Sequence, residues 1–115
     1  DAGPAWSPEA DAGSRVLLPL LRWRGEDRID RLVLSHRDSD HVGGAGAVLR
    51  GLPVTRLASS LETSHGLLAL AGTLGVDREP CVAGRRWTWD GVRFELLHPT
   101  AEALAAAELG KTRPN

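Results

Sequence analysis

Four side chains able to ligate a metal fall within six positions: His36, Asp38, Asp40 and His41, in the run Ser35-His36-Arg37-Asp38-Ser39-Asp40-His41. Neutral imidazole suits zinc, manganese or iron, and hard carboxylate oxygens extend the range toward manganese and magnesium. In a tight loop, residues two apart can face one side while the adjacent Asp40 and His41 straddle a second position. That is a geometry for two divalent ions about 3.5 to 4 Å apart. The plainer alternative is a polar capping loop with unrelated histidines. His65, beside Ser64 and Gly66, reads as a solvated or capping histidine, and His98, before Pro99, as a turn residue. Cys81 reads as a small buried apolar residue. Trp87 and Trp89 share a strand face and read as packing, although tryptophans beside arginines also suit single-stranded DNA.

The elements around the cluster give it a place. Leu32, Val33 and Leu34 in a row predict a strand over Arg31 to Ser35 buried on both faces and central in its sheet. The cluster then sits at a strand's carboxyl end, where open α/β sheets put their sites. Gly43 and Gly44 open a helix whose small residues allow close packing. A second strand is expected over Thr55 to Ser59, and a helix over Glu62 to Leu74, ended by Gly75. Asp90-Gly91 signals a hairpin between Arg86 to Trp89 and Val92 to Leu97, with one face buried. Asp1 to Ala12 reads as a loop. Ala12 to Arg24 carries Val16, Leu17, Leu20, Leu21 and Trp23 at helical spacing, interrupted by Pro19, which marks a helix start near Leu18 or a kink. Ala101 to Leu109 is helical in composition and expected to fray.

Composition narrows the function classes. The chain has 115 residues, 42% hydrophobic and 25% charged, which is the usage of one ordinary globular domain over 1–115. A formal net charge of −1 lacks the basic excess that marks a nucleic-acid or anionic-membrane binder. The longest apolar stretch, Val16 to Leu21, is far short of the ~20 residues that span a bilayer. One cysteine makes no internal disulfide. With no methionine at position 1 and a polar end at Lys111 to Asn115, the expectation is a piece of a longer protein.

The string from His36 to His41, preceded by a buried strand and followed by Gly43-Gly44, resembles the metallo-β-lactamase motif His-x-(His or Asp)-x-Asp-His. Asp1-Ala2-Gly3 resembles that fold's earlier Asp-x-Gly turn. Asp1-Ala2-Gly3-Pro4, the run Asp11 to Leu21, Ser35 to Gly44, Cys81, and Trp87-Thr88-Trp89-Asp90-Gly91 through His98-Pro99 are further similar to the C-terminal hydrolase-like domain of the ComEC family of competence DNA-uptake channels. The resemblance implies an α/β fold, the N-terminal half of a metallo-β-lactamase-like αββα sandwich. It implies two divalent ions, manganese or zinc, with His36 and Asp38 on the first, Asp40 and His41 on the second, Asp40 also beside the nucleophilic water, and Asp1 bonded behind the motif. Asp38 departs from the commoner histidine and shifts the expected metal toward manganese.

In function the resemblance implies a metal-dependent phosphodiesterase or nuclease acting on single-stranded or linear DNA during natural transformation. The parent protein would lie in the bacterial inner membrane, with this domain on the outer side beside the channel region of the same chain. The further ligands of relatives would follow Asn115, so the 115 residues alone are expected to be inactive, to bind metal weakly and to self-associate through open sheet edges. The alternatives are a hydrolase of a small ester or thioester, or a degenerate domain that docks on DNA or on the channel.

Overall fold

The computed structural model describes residues 1–110; the polar end Lys111 to Asn115 lies outside the described residues. The chain opens with a small antiparallel pair, β1 (Ala5–Ser7) and β2 (Ala10–Asp11), turning at Pro8 and Glu9, where the sequence reading expected only loop. A π-helical turn at Gly13–Leu17 leads into α1 (Leu18–Trp23). The Leu18 N–H reaches back five residues to the Gly13 carbonyl, and Pro19, which has no N–H to donate, follows it directly in α1. The wider turn inserts about one extra residue and shifts the helical phase. Leu18 is therefore the buried side chain, while Val16, Leu20 and Trp23 of the expected apolar stripe face outward.

Next come β3 (Ile29–Leu34), the one-turn α2 (Ser39–Val42), α3 (Ala45–Gly51), β4 (Val54–Ser59), α4 (Gly66–Thr73) and β5 (Asp77–Pro80). The strands form a parallel sheet in the order β3-β4-β5, with Leu32 opposite Leu57 and Leu57 opposite Arg78. Parallel strands need crossovers, and α3 and α4 supply them. Among the described residues β4 is the middle strand and β3 an edge, which corrects the expected central place of Arg31 to Ser35. Thr55 and Arg56 hid the buried character of β4, whose Val54, Leu57, Ala58 and Ser59 are all enclosed. β5, with its polar residues, carried no strand signal at all.

One face of the sheet builds the core. Leu32, Leu34 and Leu57 pack with Ala45, Val48 and Leu49 of α3, Leu61, Ala71 of α4 and Val76. Leu34 and Leu57 are wholly buried, each stabilising by about 1.5 to 3 kcal/mol. α4 begins at Gly66 rather than Glu62, because His65 caps it: the Leu67 N–H donates to His65 Nδ1 at 3.1 Å. This bears out the capping role expected of His65.

On the other face Arg31 lies 4.0 Å over the Trp87 ring, and Glu79 meets Arg31, Arg56 and Arg85 at 3.2 to 3.7 Å. Trp87 belongs to the hairpin β6 (Arg86–Trp89) and β7 (Val92–Glu95), turning at Asp90 (φ 48°) and Gly91 (φ 78°) as Asp-Gly requires. Trp87 stacks on Phe94 with centroids 5.2 Å apart. The expected buried face is only partly covered: Trp89, Val92 and Phe94 are 40 to 55% exposed, and Arg31 of β3 lies 5.9 Å from the Trp89 ring. α5 (Ala101–Glu108), expected to fray, is capped by Thr100 and tied down where Glu108 accepts the Thr63 N–H and hydroxyl at 2.7 and 3.0 Å.

Candidate metal centre

The motif starts where β3 stops. Leu34 is the last ladder residue, and the Ser35 carbonyl is held by the buried Ser60 hydroxyl, donating at 2.6 Å from the exit of β4. His36 and Arg37 continue as loop, Asp38 is the N-cap of α2, and Asp40 and His41 lie within that single turn. The Asp38 carbonyl accepts from the His41 and Val42 N–H groups at 2.9 and 3.1 Å, which folds the loop back over the strand end. Only half of the motif is therefore loop, and its second half is helical because Ser39 to Val42 carries the chain directly into α3.

This fold-back brings the two imidazoles together and sets each beside one motif aspartate. The imidazoles of His36 and His41 sit with ring centroids 3.8 Å apart. His36 Nε2 stands 3.6 Å from Asp38 Oδ2, and His41 Nε2 stands 3.5 Å from Asp40 Oδ2. A tetrahedral ion with nitrogen and oxygen ligands at roughly 2.0 to 2.2 Å has an edge of about 3.3 to 3.6 Å. Each His–Asp pair is thus spaced as one edge of such a site, and the pairs divide as His36 with Asp38 and Asp40 with His41. Among the described residues no three His, Cys, Asp or Glu side chains converge as a metal-holding group. The donor types, imidazole and carboxylate, suit a divalent ion, and each pair offers two of them.

Asp1 lies behind the motif. Its Oδ2 is 2.8 Å from His41 Nδ1 and accepts the Ser35 hydroxyl at 2.7 Å, while its Oδ1 accepts the Ser35 N–H at 2.7 Å. Backbone contacts also hold the segment there: the Asp1 amino group donates to the Val33 carbonyl at 2.6 Å, the Ala2 N–H to the His41 carbonyl at 2.8 Å and the Gly44 N–H to the Gly3 carbonyl at 3.0 Å. Gly43 and Gly44 permit this approach, since a Cβ on Gly44 would stand 2.3 Å from the Ala2 oxygen and one on Gly43 2.2 Å from the Ala5 nitrogen. The far side of the loop is tied by an ion pair between Arg37 and Glu62. Ser35, Ser60, Arg37 and Glu62 were not singled out from the sequence. Their types are common, and only the fold places them around the histidines. His98 is exposed and Cys81 is buried, its thiol pushed up to about 11 by burial first and then by Glu79.

The family model described as "Metallo-beta-lactamase superfamily" matches residues 1–105. Among curated relatives the chain is 33% identical over 99 residues to the uncharacterized protein YcaI of Escherichia coli, covering 86% of this chain and 11% of that protein. It is 33% identical over 101 residues to Recombination protein 2 of Haemophilus influenzae (86% and 11%), and 39% identical over 89 residues to Competence protein ComA of Neisseria gonorrhoeae (77% and 11%). The chain thus spans about a tenth of the length of these relatives. No solved structure matches it.

Proposed function

Because the chain belongs to the metallo-beta-lactamase superfamily, we propose that it carries the first part of a metal-dependent phosphodiesterase site in a ComEC-type protein of DNA uptake. The observation that carries this reading is the pair of His–Asp edges at the carboxyl end of β3, each spaced for a divalent ion. His36 and Asp38 would hold one ion, and Asp40 and His41 the other, manganese or zinc. An ion so held supplies a Lewis acid for a phosphodiester oxygen and lowers the pKa of water. The substrate class, DNA, comes from the competence and recombination proteins to which the chain is similar.

The chain's own residues have separate tasks in this reading. Asp40, with a side chain 71% exposed, has a carboxylate open to solvent that can take a proton from an attacking water. His36 is only 20% exposed and presents Nε2 on the same side as Asp38. Asp1 accepts from His41 Nδ1–H, which leaves the His41 Nε2 lone pair outward for a ligand role. Among the described residues no helix is long and apolar enough to cross a membrane. In this reading the domain lies on the outer side of the bacterial inner membrane, beside the channel region of the same protein.

One observation favours a second reading. No third donor joins either pair among the described residues, which suits a domain that binds DNA or docks on the channel without cutting. The test is Asp40→Ala and His36→Ala in the full-length protein, with bound manganese and zinc measured beside cleavage of linear DNA. Asp40→Ala should lower cleavage by about 100-fold or more with the fold intact, and His36→Ala should lower metal content. Wild-type turnover in both variants refutes the assignment. Binding of DNA without cleavage in the unmodified protein supports the second reading, and cleavage of small esters or thioesters alone makes it another hydrolase.

A further inference from the structure

We infer that Ser35 is a positioning residue that relays the Asp1 carboxylate to His36 and holds that imidazole with its proton on Nδ1. Three groups compete for one hydroxyl. Ser35 Oγ lies 2.7 Å from Asp1 Oδ2, 3.0 Å from His36 Nδ1 and 3.4 Å from His41 Nδ1. A serine hydroxyl carries one proton and two lone pairs, and an ionised carboxylate only accepts. Two oxygens 2.7 Å apart need a proton between them, and the charge-assisted O–H···O⁻ bond is stronger than one to a neutral nitrogen. The hydroxyl proton therefore goes to Asp1. Its lone pairs then face His36, whose Nδ1 must be the donor.

The consequence reaches the metal-facing edge. With Nδ1 protonated, His36 Nε2 keeps its lone pair toward the space it shares with Asp38 Oδ2, 3.6 Å away. The opposite tautomer would point an N–H at that carboxylate, an attractive contact that blocks a ligand position. Asp1 performs the same task for His41 directly, at 2.8 Å. One carboxylate thus sets both motif imidazoles, one by contact and one through Ser35. The backbone supports the relay independently, because the Ser35 N–H donates to Asp1 Oδ1 at 2.7 Å and the Ser35 carbonyl is held by Ser60. Loss of the hydroxyl would leave Asp1 in place and free only His36.

The effect on metal uptake rests on the reading proposed above, whereas the tautomer is a property of the metal-free side chains. The test is long-range ¹H–¹⁵N correlation of the histidine rings in metal-free protein, with the imidazoles neutral, for wild type, Ser35→Ala and Ser35→Thr. His36 should show Nδ1 protonated in wild type, shift toward Nε2 protonation in Ser35→Ala and return in Ser35→Thr, with His41 unchanged throughout. In metal titrations Ser35→Ala should weaken uptake by about 10- to 100-fold, restored by threonine. Should Ser35→Ala fail to fold, Ser35→Cys keeps the volume and removes the strong acceptor, with the same shift expected. Nδ1 protonation of His36 that survives loss of the hydroxyl overturns the inference, as does Nε2 protonation in wild type. The expected shift in a protein that never cuts DNA refutes the phosphodiesterase reading and leaves this one standing.

Discussion

Substituting Gly44 by alanine tests whether the Asp1 segment is a working part of the motif. The added Cβ would stand 2.3 Å from the Ala2 oxygen and 2.4 Å from the Gly13 nitrogen, and both neighbours are backbone. Ordinary contact begins near 3.4 Å, so one side must retreat by about 1 Å, and overpacking of this kind costs roughly 1 to 3 kcal/mol. The retreat also stretches the Ala2 to His41 and Gly44 to Gly3 hydrogen bonds, each contributing about 1 kcal/mol. Gly44→Ala should therefore destabilise by about 3 to 5 kcal/mol, a large share of the ~5 to 15 kcal/mol that holds a domain together. Urea denaturation measures the loss. Histidine ring NMR should show His41 released from Asp1, because the carboxylate moves with the segment. A loss below about 1 kcal/mol with an unchanged His41 signature would refute the argument that the glycine pair exists to admit the Asp1 turn.

Two other outcomes follow from the fold. Cys81 is 3% exposed, and its thiol is raised from the ordinary 9.0 to about 11, so the unfolded chain loses that proton first as pH rises. Its contribution to stability is complete below about pH 9 and falls by roughly 2 to 3 kcal/mol as pH passes to about 11, a decline that Cys81→Ala should flatten in chemical denaturation across that range. Glu108→Ala removes the acceptor of the Thr63 N–H and hydroxyl. It should cost about 1 kcal/mol and speed amide hydrogen exchange in α5 while leaving α3 unchanged; equal α5 exchange in wild type and Glu108→Ala would show that α5 is held by other contacts.

The local residues already specify much of this molecule. Leu32-Val33-Leu34 before a His/Asp cluster, two glycines after it, and Asp90-Gly91 between alternating residues determine a strand, a motif turn and a hairpin through short-range preferences, because neighbours in sequence suffice to satisfy them. The closeness of His36 to Asp38 and of Asp40 to His41 follows from the same short spacing. What the sequence could not decide depends on long-range register. Among the described residues β4 rather than β3 lies in the middle, because parallel pairing on both sides buries a strand that Thr55 and Arg56 make look half-polar. The π turn at Gly13–Leu17 rotates α1 so that Leu18 is buried and Trp23 faces outward, a phase change that periodicity counted at 3.6 residues cannot register. Ser35, Ser60, Arg37 and Glu62 join the site only through contacts spanning 25 to 34 residues, where side-chain type carries no signal and only the folded chain supplies the partner.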